Sequence, residues 1–426
     1  MIEIRALREN ERDACIDLWR TVWPGDNDAY FRRYFEGDVE WLPYYTQVAM
    51  EDGKLVSAVH ICKRTVACGD FRLQMGGIAN VATLPGYRGR GLNTACLRSA
   101  IAIMEADALD FSLLFTGING YYAREGFSNL KRVRLRGILA KERALPANRL
   151  LVRPALPQDL DQIFEVYNSY NAVRPIAVQR SPGYWRDWIG LTAQRLGGSH
   201  PPLVAVDESG RVVGYIIYHL NFYPGHQVTE DYAYVSEYGA LTRPDGSISM
   251  SAEKDDSTSG ITASDSIATA LLGGVAERAL SSGKRELHLS IALDASIRNA
   301  MSQLCEATAE NVTESCMARL LHRENLLRSF LMEWNDRWTS GGRPGGEALF
   351  STPYGPVRLN ANGPFLAVSS VDNPSDSREP LDQSTLLGLL FGAVRPEHLA
   401  VQPEQSALLK SLFPPQDGVY WSADGF

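Results

Sequence analysis

The chain has 426 residues, room for two to four domains at roughly 100–200 residues each. Hydrophobic residues make up 45% and charged residues 22%, which excludes a disordered, collagenous or coiled-coil chain. The formal net charge of −8 argues against nucleic-acid binding, which wants a basic surface, and suits a small cationic partner instead.

No apolar run approaches the roughly 20 residues that span a bilayer. Met1-Ile2-Glu3-Ile4-Arg5 leads straight into mixed charged sequence, so neither a signal peptide nor a membrane role is expected. The expected location is cytoplasmic. Six cysteines, Cys15, Cys62, Cys68, Cys96, Cys305 and Cys316, are too scattered for a disulfide framework. Cys62 and Cys68 lack Cys-x-x-Cys spacing and have only His60 nearby, so no metal is expected.

Residues 11–23 carry Cys15, Leu18, Trp19 and Val22 at helical spacing, closed by Pro24. Residues 47–50 and 55–61 read as strands around a turn at Glu51-Asp52-Gly53-Lys54. Residues 71–75 and 78–83 are two further strands, 91–105 a helix rich in Ala and Leu, and 111–115 a short apolar strand. Near residue 150 the pattern restarts. Leu151-Val152-Arg153-Pro154 precedes a helix through Ile163, Val166 and Tyr167, then strands at 203–206 and 212–217 around Asp207-Glu208-Ser209-Gly210. The echo of the first segment indicates an internal duplication of one α/β unit. Residues 242–265 are polar and read as an exposed loop or long hairpin. A helix over 265–280 and a strand over 286–291 follow.

A third composition begins near 312. It has a strand at 314–321, a helix at 324–334, a flexible Gly-rich connector at 340–346, a strand at 365–368, and helices at 383–391 and 405–412. The tail ends Tyr420-Trp421-Ser422-Ala423-Asp424-Gly425-Phe426. A solvated terminus is usually polar, so this one is expected to dock. The fold class is α/β, mixed α+β, over three domains: 1–148, 149–311 and 312–426.

The most informative stretch is Asn80-Val81-Ala82-Thr83-Leu84-Pro85-Gly86-Tyr87-Arg88-Gly89-Arg90-Gly91-Leu92-Asn93. An apolar strand runs into a Gly/Arg turn that opens a helix. That geometry aims backbone N–H groups and a helix N-terminus at one point, which suits phosphate. Gly89 and Gly91 permit close approach, and Arg88 and Arg90 add charge suited to phosphate. It is neither a Walker loop nor the dinucleotide fingerprint. Local chemistry alone is equally satisfied by a basic turn capping a helix.

Arg88-Gly89-Arg90-Gly91-Leu92-Asn93 resembles the Arg/Gln-x-x-Gly-x-Gly/Ala signature of the GNAT superfamily of N-acetyltransferases, with Asn93 where the family has Gly or Ala. Tyr121-Tyr122-Ala123-Arg124-Glu125-Gly126-Phe127 resembles that superfamily's Phe-Tyr-x-x-x-Gly-Phe ending. An acetyltransferase domain, a second domain without the Arg/Gly turn, and a third ending on an aromatic resemble the enhanced-intracellular-survival (Eis) family. Its third domain is similar to a sterol carrier protein, and residues 314–330 and 350–395 look like that module.

The resemblance implies acetyl-CoA as cosubstrate and no metal. Residues 88–93 (Arg88, Gly89, Arg90, Gly91, Leu92, Asn93) would hold its pyrophosphate through backbone N–H groups, and Val81, Ala82 and Thr83 would pair with the pantetheine arm. Tyr122 matches the general acid that protonates the leaving thiolate. A packed aromatic is the alternative there, more so for Tyr121. Phe426 matches a terminal residue whose α-carboxylate acts as general base. Such a group has an unperturbed pKa of about 3.3–3.7 and is ionised at neutral pH. The alternative is a terminus that merely packs. Trp421 and Asp424 would line the amine pocket. Transfer would be direct, in a ternary complex. Cys96 on the helix after the turn is the rival nucleophile, but it has no histidine near it in sequence.

The implied acceptor is a polycationic amine: an aminoglycoside, a polyamine or a lysine side chain. The family also implies a homohexamer and a link to antibiotic resistance. In the second domain, Ser236-Glu237-Tyr238-Gly239-Ala240 is followed by Leu241-Thr242-Arg243-Pro244-Asp245-Gly246, without the signature. This half is expected to be degenerate scaffold. Two alternatives are a tandem acyl- or aminoacyl-transferase of another acceptor and a non-enzymatic lipid-binding protein.

Overall fold

Ile2–Ala6 forms the first strand, β1, and its Arg5 fixes how the chain leaves it. Arg5 donates to both carboxylate oxygens of Glu11, at 2.8 and 2.7 Å, and Glu11 accepts the Arg8 backbone N–H at 2.9 Å. This clasp starts helix α1 (Arg12–Val22), which buries Cys15, Ile16, Leu18 and Trp19. The computed structural model describes residues 1–25, 28–69, 71–140, 150–191, 196, 200–220, 231–241, 263–371 and 379–426. The chain divides into two units. One holds Met1–Arg132, Glu314–Gln416 and Phe426; the other holds Val133–Thr313 and Asp417–Gly425.

In the first unit, α2 (Asp28–Glu36) precedes β2 (Thr46–Glu51), β3 (Lys54–Cys68), β4 (Phe71–Thr83), α3 (Leu92–Ala106), β5 (Phe111–Phe115) and α4 (Asn119–Ala123). The sheet runs β1-β2-β3-β4-β5, then Cys316–Leu320, then Ser128–Asn129. β1 to β4 pair antiparallel, whereas β5 is parallel to β4. A parallel pair needs a crossover, and α3 supplies it. Leu92, Cys96, Leu97, Ala100, Ile101 and Met104 of α3 are all buried, a stripe of helical period laid on the sheet.

The two strands expected at 71–75 and 78–83 are one. Gly76 and Gly77 do not interrupt β4, because both pair with β3, opposite Lys63 and Cys62. At Gly76 an added Cβ would lie 2.2 Å from Met104 Sδ. The missing side chain lets α3 pack close.

The second unit repeats the plan. Its sheet runs Leu151–Pro154, Leu203–Val206, Val212–His219, Tyr232–Ala240, Glu286–Leu289, then Arg132–Leu139 and Cys305–Thr313. Tyr232–Ala240 and Glu286–Leu289 are parallel, with the helix Ala263–Ser281 between them in sequence. The opening clasp recurs too. Arg153 bonds Asp159 at 2.6 and 2.9 Å, and Asp159 accepts the Leu156 N–H at 2.7 Å.

Each sheet takes its sixth strand from a distant part of the chain. Cys316–Leu320 pairs antiparallel with β5 and with Ser128–Asn129. Arg132–Leu139, which directly follows the first repeat, pairs antiparallel with Glu286–Leu289 of the second. The repeated start and the later change in composition set divisions at 148/149 and 311/312; the compact units change over at 132/133, 313/314, 416/417 and 425/426.

The C-terminal part of the first unit holds the helix Arg323–Ser340, a sheet of Glu347–Phe350, Val357–Asn360 and Ala367–Ser370, and helices Gln383–Leu390 and Pro403–Leu412. The connector at 340–346 is a bonded turn rather than a slack one. Gly341 N–H donates to Arg337 at 2.8 Å and Arg343 N–H to Trp338 at 2.8 Å. The loop expected over 242–265 falls outside the described residues up to 262; Ala263–Ser281 is helical. The missing coenzyme turn expected after Leu241 also lies outside them. Among the described residues, no helix is long and apolar enough to cross a membrane.

Candidate active site

β4 is bulged where it leaves its neighbours. The β3–β4 register shifts between Ala58 and His60, and Asn80 sits in the bulge at φ 47°. Positive φ is costly for most residues and tolerated by Asn. On the other side, pairing with β5 ends at Ile78, opposite Leu114. β4 runs on to Thr83, so the two parallel strands part beyond Ile78. Among the described residues no strand pairs with that side of β4 beyond Ile78, and an unpaired edge can take up an extended ligand.

Beyond that edge the chain turns into α3. Gly89 has φ 76° and Gly91 has φ 75°, the latter as N-cap of α3. An added Cβ at either would meet nothing within 4 Å, so the turn presents bare backbone to open space. The first N–H groups of α3 have no acceptor within the helix. This arrangement fits an anionic phosphate group.

The arginines are engaged elsewhere. Arg88 Nε donates to the Thr83 carbonyl at 3.2 Å. Arg90 forks onto Glu51, with Nη1 at 3.0 Å from Oε2. Through these bonds they brace the turn. Asn93 earns its place at the sixth position by tying three elements. Its Nδ2 donates to the Ala82 carbonyl at 3.3 Å, and its Oδ1 accepts from the Tyr121 hydroxyl at 2.8 Å. Ser57 Oγ also donates to Ala82, at 2.8 Å. The Ala82 carbonyl thus has both acceptor positions filled. Leu92 is buried on the sheet.

Tyr121 and Tyr122 divide the two roles open to that pair. Tyr121 is held by Asn93 and, at 3.3 Å, by Thr94, which pins α4 to the start of α3. Tyr122 is 6% exposed and packs in one cluster with Ile78, Leu114, Cys96 and Phe127. Ile78 and Leu114 are the last paired residues before the parting. Burial raises the Tyr122 phenol above its ordinary value, with a small further rise from Tyr121. Burial also pushes the Cys96 thiol up to about 12.

Phe426 lies against the opposite face. Side chains alternate along a strand; Gly76 faces Met104 of α3, so Gly77 faces away from it. An added Cβ at Gly77 would lie 2.2 Å from Phe426 Cζ. The Phe426 ring also meets Phe115 of β5, centroids 5.7 Å apart, and the Arg132 guanidinium covers Phe115 at 5.6 Å. Tyr122 and Phe426 thus flank the end of the β4–β5 pairing from its two faces.

Trp421 and Asp424 are both buried in the second unit. Trp421 Nε1 donates to Asn171 Oδ1 at 3.0 Å. Asp424 meets Arg180 through Nε at 2.8 Å and Nη2 at 2.9 Å. Arg180 also forks onto Glu237 at 2.8 and 2.6 Å, and the Tyr215 hydroxyl donates to Glu237 at 2.5 Å. The guanidinium lies between the Tyr167 and Trp185 rings, 4.2 and 4.3 Å from their centroids. The tail docks as expected of its aromatics, through these groups.

Among the described residues, Asp38, His60 and Cys62 place metal-ligand atoms within 4.8 Å of one another. Asp38 is already taken, by Arg64 Nη1 at 2.9 Å from both oxygens. The Cys62 thiol is pushed up and the His60 ring pushed down to about 3, both by burial. The cation beside the carboxylate and the protonated thiol make a poor metal site.

Residues 3–129 match the family described as an acetyltransferase (GNAT) domain. This segment is a GNAT acetyltransferase domain. The chain therefore carries the domain of an N-acetyltransferase, a class that uses acetyl-CoA as cosubstrate. No curated protein matches the sequence. Among solved structures, a probable N-acyltransferase from Enterococcus faecalis covers 98% of this chain and 97% of its own, with TM-score 0.66 at 16% identity. A GCN5-related N-acetyltransferase from Kribbella flavida covers 100% and 98%, with TM-score 0.66 at 17% identity. Eis1 from Mycobacterium abscessus covers 100% of each chain, with TM-score 0.62 at 14% identity. At such identities the likeness establishes the fold. It extends the mixed α/β architecture of GNAT-like proteins to the whole chain.

The site residues that sequence reasoning missed are Gly77, Asn80 and Ser57. Asn80, inside an apolar strand, was the one visible signal, since Asn is depleted from strands and favoured at positive φ.

Proposed function

We propose that the protein is an acetyl-CoA-dependent N-acetyltransferase of the Eis type, acting on primary amines of a small polycationic acceptor. The observation that carries this reading is the parting of β4 from β5 directly before the bare turn at 88–93, with Tyr122 and Phe426 on the two faces beside it. Backbone N–H groups of the turn hold the pyrophosphate, and the edge of β4 at 81–83 receives the pantetheine arm. The Phe426 carboxylate accepts a proton from the substrate ammonium, directly or through water, and frees the lone pair to attack. A backbone N–H of the parted edge donates to the carbonyl oxygen as negative charge develops there. The Tyr122 hydroxyl donates its proton to the leaving thiolate. Its raised pKa keeps it protonated at neutral pH. Transfer is direct, because Cys96 is a buried, protonated thiol and a nucleophilic cysteine must be a thiolate.

The net charge of −8 favours aminoglycosides, polyamines or lysine side chains as acceptors. We read residues 1–148, 149–311 and 312–426 as three sequence modules, the second degenerate and the third similar to a sterol carrier protein. A homohexamer in the cytoplasm completes the proposal. A cavity in the third module is lined by Glu347, Glu379 and Asp382 beside Leu349, Leu381 and Val401. Carboxylates are costly to bury against an acyl chain, so lipid carriage is not proposed.

The test is thiol release from acetyl-CoA with a panel of aminoglycosides and polyamines, beside calorimetric binding of acetyl-CoA. Binding with amine-dependent release is expected. Absence of acetyl-CoA binding would overturn the proposal.

A further inference from the structure

Gly77 has no backbone reason to be glycine. It sits mid-strand, paired with Cys62 on one side and Leu113 on the other, where glycine weakens a sheet. It is not among the glycines at positive φ. What distinguishes it is the ring above it. A Cβ there would lie 2.2, 2.3 and 2.7 Å from Cζ, Cε1 and Cε2 of Phe426. These three atoms are the distal edge of the ring. The ring therefore inserts its tip into the hole that the missing side chain leaves, with Phe115 of β5 as a side wall.

We infer that Gly77 is a positioning residue, whose notch sets the depth of the Phe426 ring and so the place of the terminal carboxylate. The inference rests on the reading of that carboxylate as general base. A methyl group in the notch would push the ring from 2.2 Å to an ordinary contact beyond 3.4 Å, a retreat of about 1 Å. A misplacement of that size costs about 10²-fold in rate. The adjacent Gly76 faces Met104 of α3 instead, so Gly76→Ala crowds the opposite face and reports a clash in this strand that does not touch the Phe426 ring.

The experiment is a double-mutant cycle on the full-length chain: Gly77→Ala, Phe426→Ala and the pair, with Gly76→Ala as control. Two readouts are taken. One is kcat and KM for thiol release from acetyl-CoA with spermidine or kanamycin. The other is release of the terminal residue by carboxypeptidase A, which needs no acceptor. Gly77→Ala should lower kcat about 10²-fold with KM for acetyl-CoA within about two-fold, and should release Phe426 at least about ten-fold faster. In the Phe426→Ala background the same substitution should change kcat less than about three-fold, because the clash is gone. Equal effects of Gly77→Ala in both backgrounds, with unchanged Phe426 release, would overturn the notch. Faster release with unchanged kcat would keep the notch but overturn its catalytic role, and with it the reading of the carboxylate as base. Should Gly77→Ala alone not fold, a folded double variant is the expected result, and a misfolded one would overturn the inference.

Discussion

Tyr122 places one phenol beside the point where β4 and β5 part. Replacing it by Phe keeps the ring in its cluster and removes the proton donor. Tyr122→Phe should lower kcat by about 10²-fold or more and leave the melting temperature nearly unchanged. The pH profile carries the sign. Burial raises this pKa, so the donor form persists above the ordinary tyrosine value of about 10. No alkaline fall in kcat before about pH 10 should depend on Tyr122. An alkaline limb near pH 8 that vanishes in the Phe variant would contradict the assignment.

Arg180 is the residue that the sequence could not point to. Trp421 and Asp424 stand out in an aromatic tail and read as pocket lining. Their partners lie far upstream, Asp424 meeting Arg180 across 244 positions of the chain, a pairing no local pattern reveals. Arg180→Met leaves Glu237 and Asp424 buried without their cation, a change that costs about 3–5 kcal/mol. Asp424 already has a raised pKa from burial. A carboxyl whose folded pKa exceeds the unfolded value binds protons more tightly when folded, so acidification through that window favours the fold. The melting-temperature gap between Arg180→Met and native protein should therefore narrow from pH 7.5 to pH 5. A gap that widens would contradict the account.

At the level of elements, the turn before α3 depends on two left-handed glycines. Gly91→Ala forces Cβ into a conformation that costs about 1–2 kcal/mol. If the strained turn gives way, acetyl-CoA affinity should fall roughly 5- to 30-fold by calorimetry. Unchanged affinity would mean the turn does not hold the pyrophosphate. This motif was legible because glycines, arginines and a helix start fall within a few residues of one another. The strand Arg132–Leu139 was missed although its pattern was present. From Leu135 on, Leu135, Gly137 and Leu139 face inward while Arg136 and Ile138 are exposed, an alternation of period two. The exposed strand Cys305–Thr313 carries no such alternation, and only its place at the sheet edge makes it a strand. Gly76 and Gly77 misled in the other direction. They looked like a break in β4, and their reasons, Met104 and Phe426, come from elsewhere in the chain.

For the whole molecule, the duplicated plan was legible from its repeated starts, and Arg5–Glu11 and Arg153–Asp159 show the repeat in atoms. The exchanged strands were not, because strand pairing across such distances leaves no trace in local periodicity. They carry a consequence. A fragment of residues 1–148 lacks Cys316–Leu320 and leaves β5 with an open edge, which invites aggregation. It should be insoluble when expressed alone; a soluble, monomeric fragment would show that the exchanged strand is dispensable.

The acid and base assignments meet at the end of the chain. An extension of two residues after Phe426 removes the α-carboxylate from its place and leaves the turn at 88–93 untouched. Thiol release from acetyl-CoA should be measured with an amine panel for native and extended protein, beside calorimetric binding of acetyl-CoA to both. Equal binding with at least about 10²-fold loss of amine-dependent release in the extended form is the predicted result. Equal release in both forms would contradict the account.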